Sequence, residues 1–364
     1  MDYNKPRIAI AHGDTNGIGY ETLFRVFGEQ DLLSLFVPII YGSPKVATYH
    51  RKAYELNANF TIIKTAQEAK EDRVNLLPTF EEEVKVEMGT ATPESRRAAL
   101  TALNRALSDQ AEGLVDAIVS LPIADNTLLA PDGSPLTLSQ HAELHAGAPG
   151  TSLTIHVSDN LRMAIAYEGS LSQALQQLSK ESLLQKAALF HESLLRDFRL
   201  STPRIALLRL NAQPSTEETD ILKPAVDEAR ERHLGLFGPY SPEDFFTKGL
   251  YNQFDGVLAM HHDQGMIAFN LLSQNEGVTF CAGLPKVIVS TGNGDEAAFN
   301  RREESDEQRL RNALYMAIDT LRNRATYDEP LGNPLKKLYH EKRDESEKVR
   351  FNTPKKTDPA PKQE

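Results

Sequence analysis

Histidine is the residue whose placement in this chain first suggests chemistry. A His-His-Asp-Gln-Gly run, His261 to Gly265, closes an apolar stretch, Gly256 to Met260, that reads as a buried strand. A strand end followed by a short loop is where α/β proteins aim ligand-contacting side chains. His12 ends the first apolar stretch in the same way and is open to a site role or a structural one. His141 and His145 stand four apart with Glu143 between them, so one helix face can hold both imidazoles. With His261, His262 and Asp263 they form a candidate set for a divalent metal, set against the plainer reading of solvated histidines. His191 abuts an apolar helical stripe and reads as half-buried packing. The segment Gly13-Asp14-Thr15-Asn16-Gly17-Ile18-Gly19 joins the first strand to the first helix. Its glycines permit a sharp turn or a close backbone approach to a ligand, and the spacing fits neither common phosphate-loop pattern. Both readings stay open on the residues alone.

These groups must be held by a regular alternation of strand and helix. Residues 7–11, 37–41, 114–121, 152–157, 161–167, 204–208, 256–260 and 287–290 read as strands. Residues 20–27, 93–110, 182–198 and 307–322 read as helices. Thr92 is the N-cap candidate of the second helix, with Pro93 at its first position and Ala99, Leu103, Ala106 and Leu107 on one face. Such alternation predicts a mostly parallel sheet with helices on both faces, a three-layer α/β/α arrangement. After about residue 327 the chain turns polar and rich in Pro and Lys and reads as a disordered tail. Glu81, Glu82 and Glu83 read as a solvated face.

Composition bounds the partners. The 364 residues carry a net charge of −11, with one Cys and no Trp. From Leu331 onward there are nine basic and six acidic residues, so the tail is +3 and the remainder −14. An acidic body argues against nucleic acid. The lone Cys281, in an apolar stretch, excludes a disulfide within the chain and a cysteine zinc cluster and suits a reducing, cytoplasmic setting. There is no signal-peptide core, and no apolar run approaches the roughly 20 residues of a membrane span.

Several segments then carry a resemblance. Ile8 to Asp14 followed by Gly17-Ile18-Gly19 and Glu21, Asp116 to Ile123, Ser139 to Glu143, Gly238-Pro239 with Phe245-Phe246, Asp255 to Gly265 and Gly283-Leu284-Pro285 occur in order. Together they resemble the 4-hydroxythreonine-4-phosphate dehydrogenase family over about residues 7–325. That family is similar in fold to isocitrate and isopropylmalate dehydrogenases. The resemblance implies an NAD-dependent oxidoreductase of pyridoxal phosphate biosynthesis. It would oxidise 4-phosphooxy-L-threonine with the help of a divalent metal (Zn, Co, Mn or Mg), the product then losing carbon dioxide. It also implies two subdomains with a cleft between them, residues 1–125 with 285–326 and residues 126–284, the second carrying the contacts of a homodimer, with three histidines drawn from both subunits as metal ligands. By residue, the resemblance makes His262 a metal ligand and, with Asp263, the catalytic group. It places His141, Ala142, His12 and Asp14 at the substrate and Gly292, Asn293 and Gly294 at the cofactor. Departures are specific. Gln213 stands at the second ligand position, and Gly169, or Glu168 with a one-residue shift, at the third. Asn270, Ile288 and Thr279 replace a Lys, an Arg and an Asn. Losing Lys and Arg removes charge-assisted bonds to a dianionic phosphate. Three functions are therefore carried forward: the family reaction, a same-scaffold dehydrogenase for another hydroxy acid, and a catalytically lapsed dimeric binding paralogue.

Overall fold

The computed structural model describes residues 5–28, 30–56, 59–80, 84–211, 213–274, 276–292, 294–300 and 304–332. The Glu81–Glu83 run, Asn293 and the chain from residue 333 lie outside them. The strands are β1 (Arg7–Ala11), β2 (Val37–Gly42), β3 (Thr61–Ile62), β4 (Asn75–Pro78), β5 (Ala117–Ser120) and β6 (Leu153–Ser158). They continue with β7 (Leu161–Tyr167), β8 (Ile205–Leu208), β9 (Leu236–Tyr240), β10 (Gly256–His261), β11 (Val278–Ala282) and β12 (Val287–Ser290). The α-helices are α1 (Gly19–Val26), α2 (Pro44–Ala53), α3 (Pro93–Ala111), α4 (Leu138–His145), α5 (Leu171–Gln177) and α6 (Lys180–Arg196). After them come α7 (Lys223–Glu231), α8 (Pro242–Thr247), α9 (His262–Leu272), α10 (Asp295–Phe299) and α11 (Glu304–Gly332).

All strands join one sheet in the order β3-β4-β2-β1-β5-β12-β11-β6-β7-β10-β8-β9. Within each half the strands are parallel, as the alternation predicts. At the centre β12–β11, β11–β6 and β6–β7 are antiparallel. Three reversals turn the second half end for end. The C-terminal strand edges of the two halves therefore point in opposite directions.

Strand alternation sorts side chains between two faces. Ile8, Ile10, Val119, Ile155, Phe280, Ala164 and Leu258 point to one face and form a continuous core with residues of α1, α6, α7 and α11. The opposite face is split. Ala9, Ala11, Ile39 and Ile118 pack with α3 and α4 in one core. Met163, Ile165, Ala206 and Ala259 pack with Phe245 of α8 and Phe269 of α9 in another. The structure is thus α/β/α with a break on one side only.

Local signals hold where they were read. Thr92 caps α3 in a reciprocal box with Ser95, and Pro93 occupies the first turn. Leu183, Ala187, Phe190 and Leu194 form the buried face of α6, the apolar stripe that half-buried His191 abuts. One expectation changes: α11 runs to Gly332, so residues 327–332 are helical and not the start of a tail.

Candidate functional site

A cleft of about 520 Å³ fills the break between the two cores. Its floor is β6 and β11. On β6, Leu153 and Ile155 face the continuous core, so Thr154 and His156 face the cleft. Thr279 of β11 lies opposite His156 in register, and its hydroxyl meets the His156 ring at Nδ1, 3.2 Å away. One wall is the segment before α4 with its first turn, including Ser139, whose hydroxyl is 3.2 Å from that of Thr154. The other wall is α9, with His262, Met266, Phe269 and Asn270.

His262 and Glu168 follow the C-terminal ends of β10 and β7, while Gly292 follows that of β12. Because the halves run oppositely, these groups stand at opposite ends of the cleft. At the first end, burial holds the Glu168 carboxyl above its ordinary range, against Thr154, His262 and Lys186, which pull it down. Its Oε1 is buried without a hydrogen-bond partner. Burial and the neighbouring His262 push His156 down to about 3, so its imidazole is neutral. At the second end Arg309 lines the cleft beside Gly292 and Gly294, and the buried Thr291 hydroxyl has no partner.

The His-Asp-Gln-Gly sequence divides into chemistry and construction. His262 opens into the cleft, its Nδ1 3.2 Å from the exposed Asp263 carboxylate. Gln264 builds the corner: its side chain accepts from Met260 N at 2.8 Å and donates to Arg209 O at 2.6 Å, tying the ends of β10 and β8 together. Gly265 lets α9 lie flat on the sheet. A Cβ there would stand 2.6 Å from Ile165 Cδ1.

Other expected site residues are placed elsewhere. His12 and Asp14 are fully buried and do not line the cleft. His12 stacks on Tyr20 at 5.0 Å, and Asp14 accepts from Asn16 N and from Ser95 Oγ, both at 2.9 Å, which ties the loop to the start of α3. The glycine loop is a packed junction: a Cβ on Gly13 would meet Pro122 O at 2.4 Å and one on Gly19 would meet His12 O at 2.1 Å. That geometry favours the tight-turn reading of the loop. His141 turns to α3, with Nε2 2.7 Å from Asn104 Oδ1, and Ala142 is core. His145 faces Ser108, and Glu143 accepts from the backbone of Gly150 and Ser152. The histidine set proposed across α4 and α9 is therefore not assembled. Gln213 is exposed on the β8–α7 connection and is absent from the cleft lining, Gly169 is exposed, and Ile288 is core. Among the described residues no group of three His, Cys, Asp or Glu is placed to hold a metal ion.

His156 and Thr154 escaped the sequence reading. Their signal was available: a polar-apolar alternation in Leu153 to Val157 marks a strand with one face away from the core. Cys281 is buried as expected, its thiol pushed up to about 12. No helix among the described residues is long and apolar enough to cross a membrane.

A split α/β/α sheet with a polar cleft between its halves is an α/β architecture in which pockets at strand ends are the usual place for small molecules. Likeness to known proteins narrows that class. Residues 34–317 match the family described as pyridoxal phosphate biosynthetic protein PdxA. A 4-hydroxythreonine-4-phosphate dehydrogenase of Bacteroides thetaiotaomicron is 39% identical over 360 residues, covering 97% of this chain and 99% of its own. One from a Sulfurihydrogenibium strain is 27% identical, covering 86% and 97%. The crystal structure of the Klebsiella pneumoniae 4-hydroxythreonine-4-phosphate dehydrogenase has the same fold, with a TM-score of 0.70 at 23% identity over 88% of this chain and 100% of that one. The chain belongs to the PdxA family.

Proposed function

We propose that this chain is a nicotinamide-dependent dehydrogenase of pyridoxal phosphate biosynthesis, oxidising 4-phosphooxy-L-threonine in the cleft between its halves. The observation that carries this is the near end-to-end likeness to the Bacteroides dehydrogenase. His262 and Asp263 are the catalytic candidates, at one end of the cleft. Gly292, Asn293 and Gly294 are the cofactor candidates, Asn293 being outside the described residues. The unpartnered Thr291 hydroxyl fits an anionic group at that end, beside the Arg309 guanidinium, which is itself ion-paired with Asp306 at 3.6 Å. NAD, when bound, supplies the hydride acceptor. The divalent metal fits less well. Glu168 and His262 share the cleft, but Gln213 and Gly169 bring no ligand to it.

We take the working unit to be a cytoplasmic homodimer, with residues 1–125 and 285–326 as one subdomain and 126–284 as the other. The outer face of α9 supports the dimer: Ile267 and Leu271, four apart on one side, are 65% and 77% exposed. Purified protein incubated with 4-phosphooxy-L-threonine and NAD, with and without added Zn²⁺ or Mn²⁺, is expected to form NADH in proportion to substrate. No NADH under any of these conditions overturns the assignment.

A second reading has its own observation. The described cleft lining carries the carboxylates of Asp125, Glu168 and Glu296 against the single guanidinium of Arg309. That balance opposes a dianionic phosphate and favours a hydroxy acid of lower charge. Turnover of 4-hydroxy-L-threonine in preference to its phosphate ester would select this reading.

A further inference from the structure

The polar floor of the cleft has no counterpart in the two cores that flank it. Thr154 and His156 project from alternate positions of β6 into the break. His156 is oriented by the Thr279 hydroxyl at Nδ1, which leaves Nε2 for a ligand. Beside them the buried Glu168 Oε1 has no partner. A buried carboxylate oxygen left unpaired is costly, and a ligand hydroxyl placed against it removes that cost. Next to this group two of the three imidazoles expected to grip an ion are missing, because Gln213 and Gly169 stand in their places and only His262 reaches the cleft.

We propose that Thr154, His156 and Glu168 hold the substrate hydroxyl directly in this chain, in the role a divalent ion would otherwise fill. Glu168 accepts from the hydroxyl, His156 Nε2–H donates to it, and the Thr154 hydroxyl, which donates to Ser139 at 3.2 Å in the structure, turns to complete its hydrogen bonding. The ligand class is a small hydroxy acid recognised through its own hydroxyl rather than through a chelate ring. This inference rests on the cleft being the substrate site, as proposed above.

Calorimetric titration of the full chain in the presence of NADH tests it, with 4-phosphooxy-L-threonine and 4-hydroxy-L-threonine as probes. Each titration is run in EDTA and again with Zn²⁺ or Mn²⁺. The expected result is binding of at least one probe with the same affinity in EDTA as with metal. His156→Leu and Glu168→Gln are each expected to weaken that binding by roughly tenfold. Thr154→Val, which keeps the side-chain shape, is expected to weaken it by about threefold to tenfold and guards against a loss caused by misfolding. NADH affinity stays unchanged in all three. Binding that disappears in EDTA and returns with metal overturns the proposal and leaves the dehydrogenase reading standing, as do variants that bind like the parent chain. If neither probe binds even with metal, the substrate assignment fails, and this proposal with it.

Discussion

His12 shows what burial does to a single group. Its ring is fully enclosed, stacked on Tyr20 and edge-on to Phe80, and neither ring nitrogen has a hydrogen-bond partner. Desolvation lowers it from 6.5 to about 4, with the nearby His50 adding to the effect. The folded state therefore refuses a proton that the unfolded chain accepts below about pH 6.5. Stability is complete above that pH and is lost as pH falls through about 4, by an amount on the order of 3 kcal/mol for this residue. His156, pushed down to about 3, acts in the same direction. Urea unfolding at steps from about pH 7 to about pH 4 is expected to show the decline. His12→Leu should flatten it and leave stability at neutral pH unchanged or higher by about 1 kcal/mol, since an unpartnered polar ring is exchanged for an apolar side chain. An equally steep decline in the variant would contradict this account. The sequence placed His12 at a strand end but could not decide its role. Which side chains close over a strand end depends on neighbours such as Phe80, far along the chain.

At the scale of elements, local and distant causes separate clearly. The start of α3 is written in Thr92-Pro93-Glu94-Ser95, because a cap satisfies backbone donors within one turn. The end of α11 is not local. Its apolar stripe stops near Leu321, yet the helix continues because Arg324 and Asp328 reach α6. Arg324 Nε donates to the buried Asp197 carboxylate at 2.6 Å, and its Nη1 donates to Leu284 O at 3.1 Å and Pro285 O at 3.2 Å. Arg196 Nε donates to Asp328 at 2.9 Å. Arg324 thus joins α11, α6 and the β11–β12 turn at one point. Arg324→Met leaves Asp197 buried without its cation and is expected to cost about 3–5 kcal/mol. Thermal and denaturant unfolding measure that loss, and a change under about 1 kcal/mol would contradict the role given to the pair.

For the whole molecule, the decisive feature is the reversal at β11 and β6. Without it the sheet would present a single C-terminal edge. With it, the break between the two cores becomes a cleft whose ends belong to opposite halves. α9 forms one wall of that cleft and exposes Ile267 and Leu271 on its far side. Light scattering is expected to give the mass of a dimer for the parent chain and of a monomer for the Ile267→Glu, Leu271→Glu double variant. A dimer that survives both changes would place the subunit interface elsewhere.

By itself the sequence determined the alternating elements, the cap of α3, the buried strands and the family, because each follows from residues a few positions apart or from short ordered motifs. It also singled out His262 and noted Glu168 in place of an expected ligand. Only the tertiary structure decided which polar groups share the cleft. It sent His12, Asp14 and His141 into packed surroundings and brought in Thr154 and His156. The physical reason is range: the His156–Thr279 contact joins positions 123 residues apart, and no local pattern encodes a pairing set by the strand order of the finished sheet.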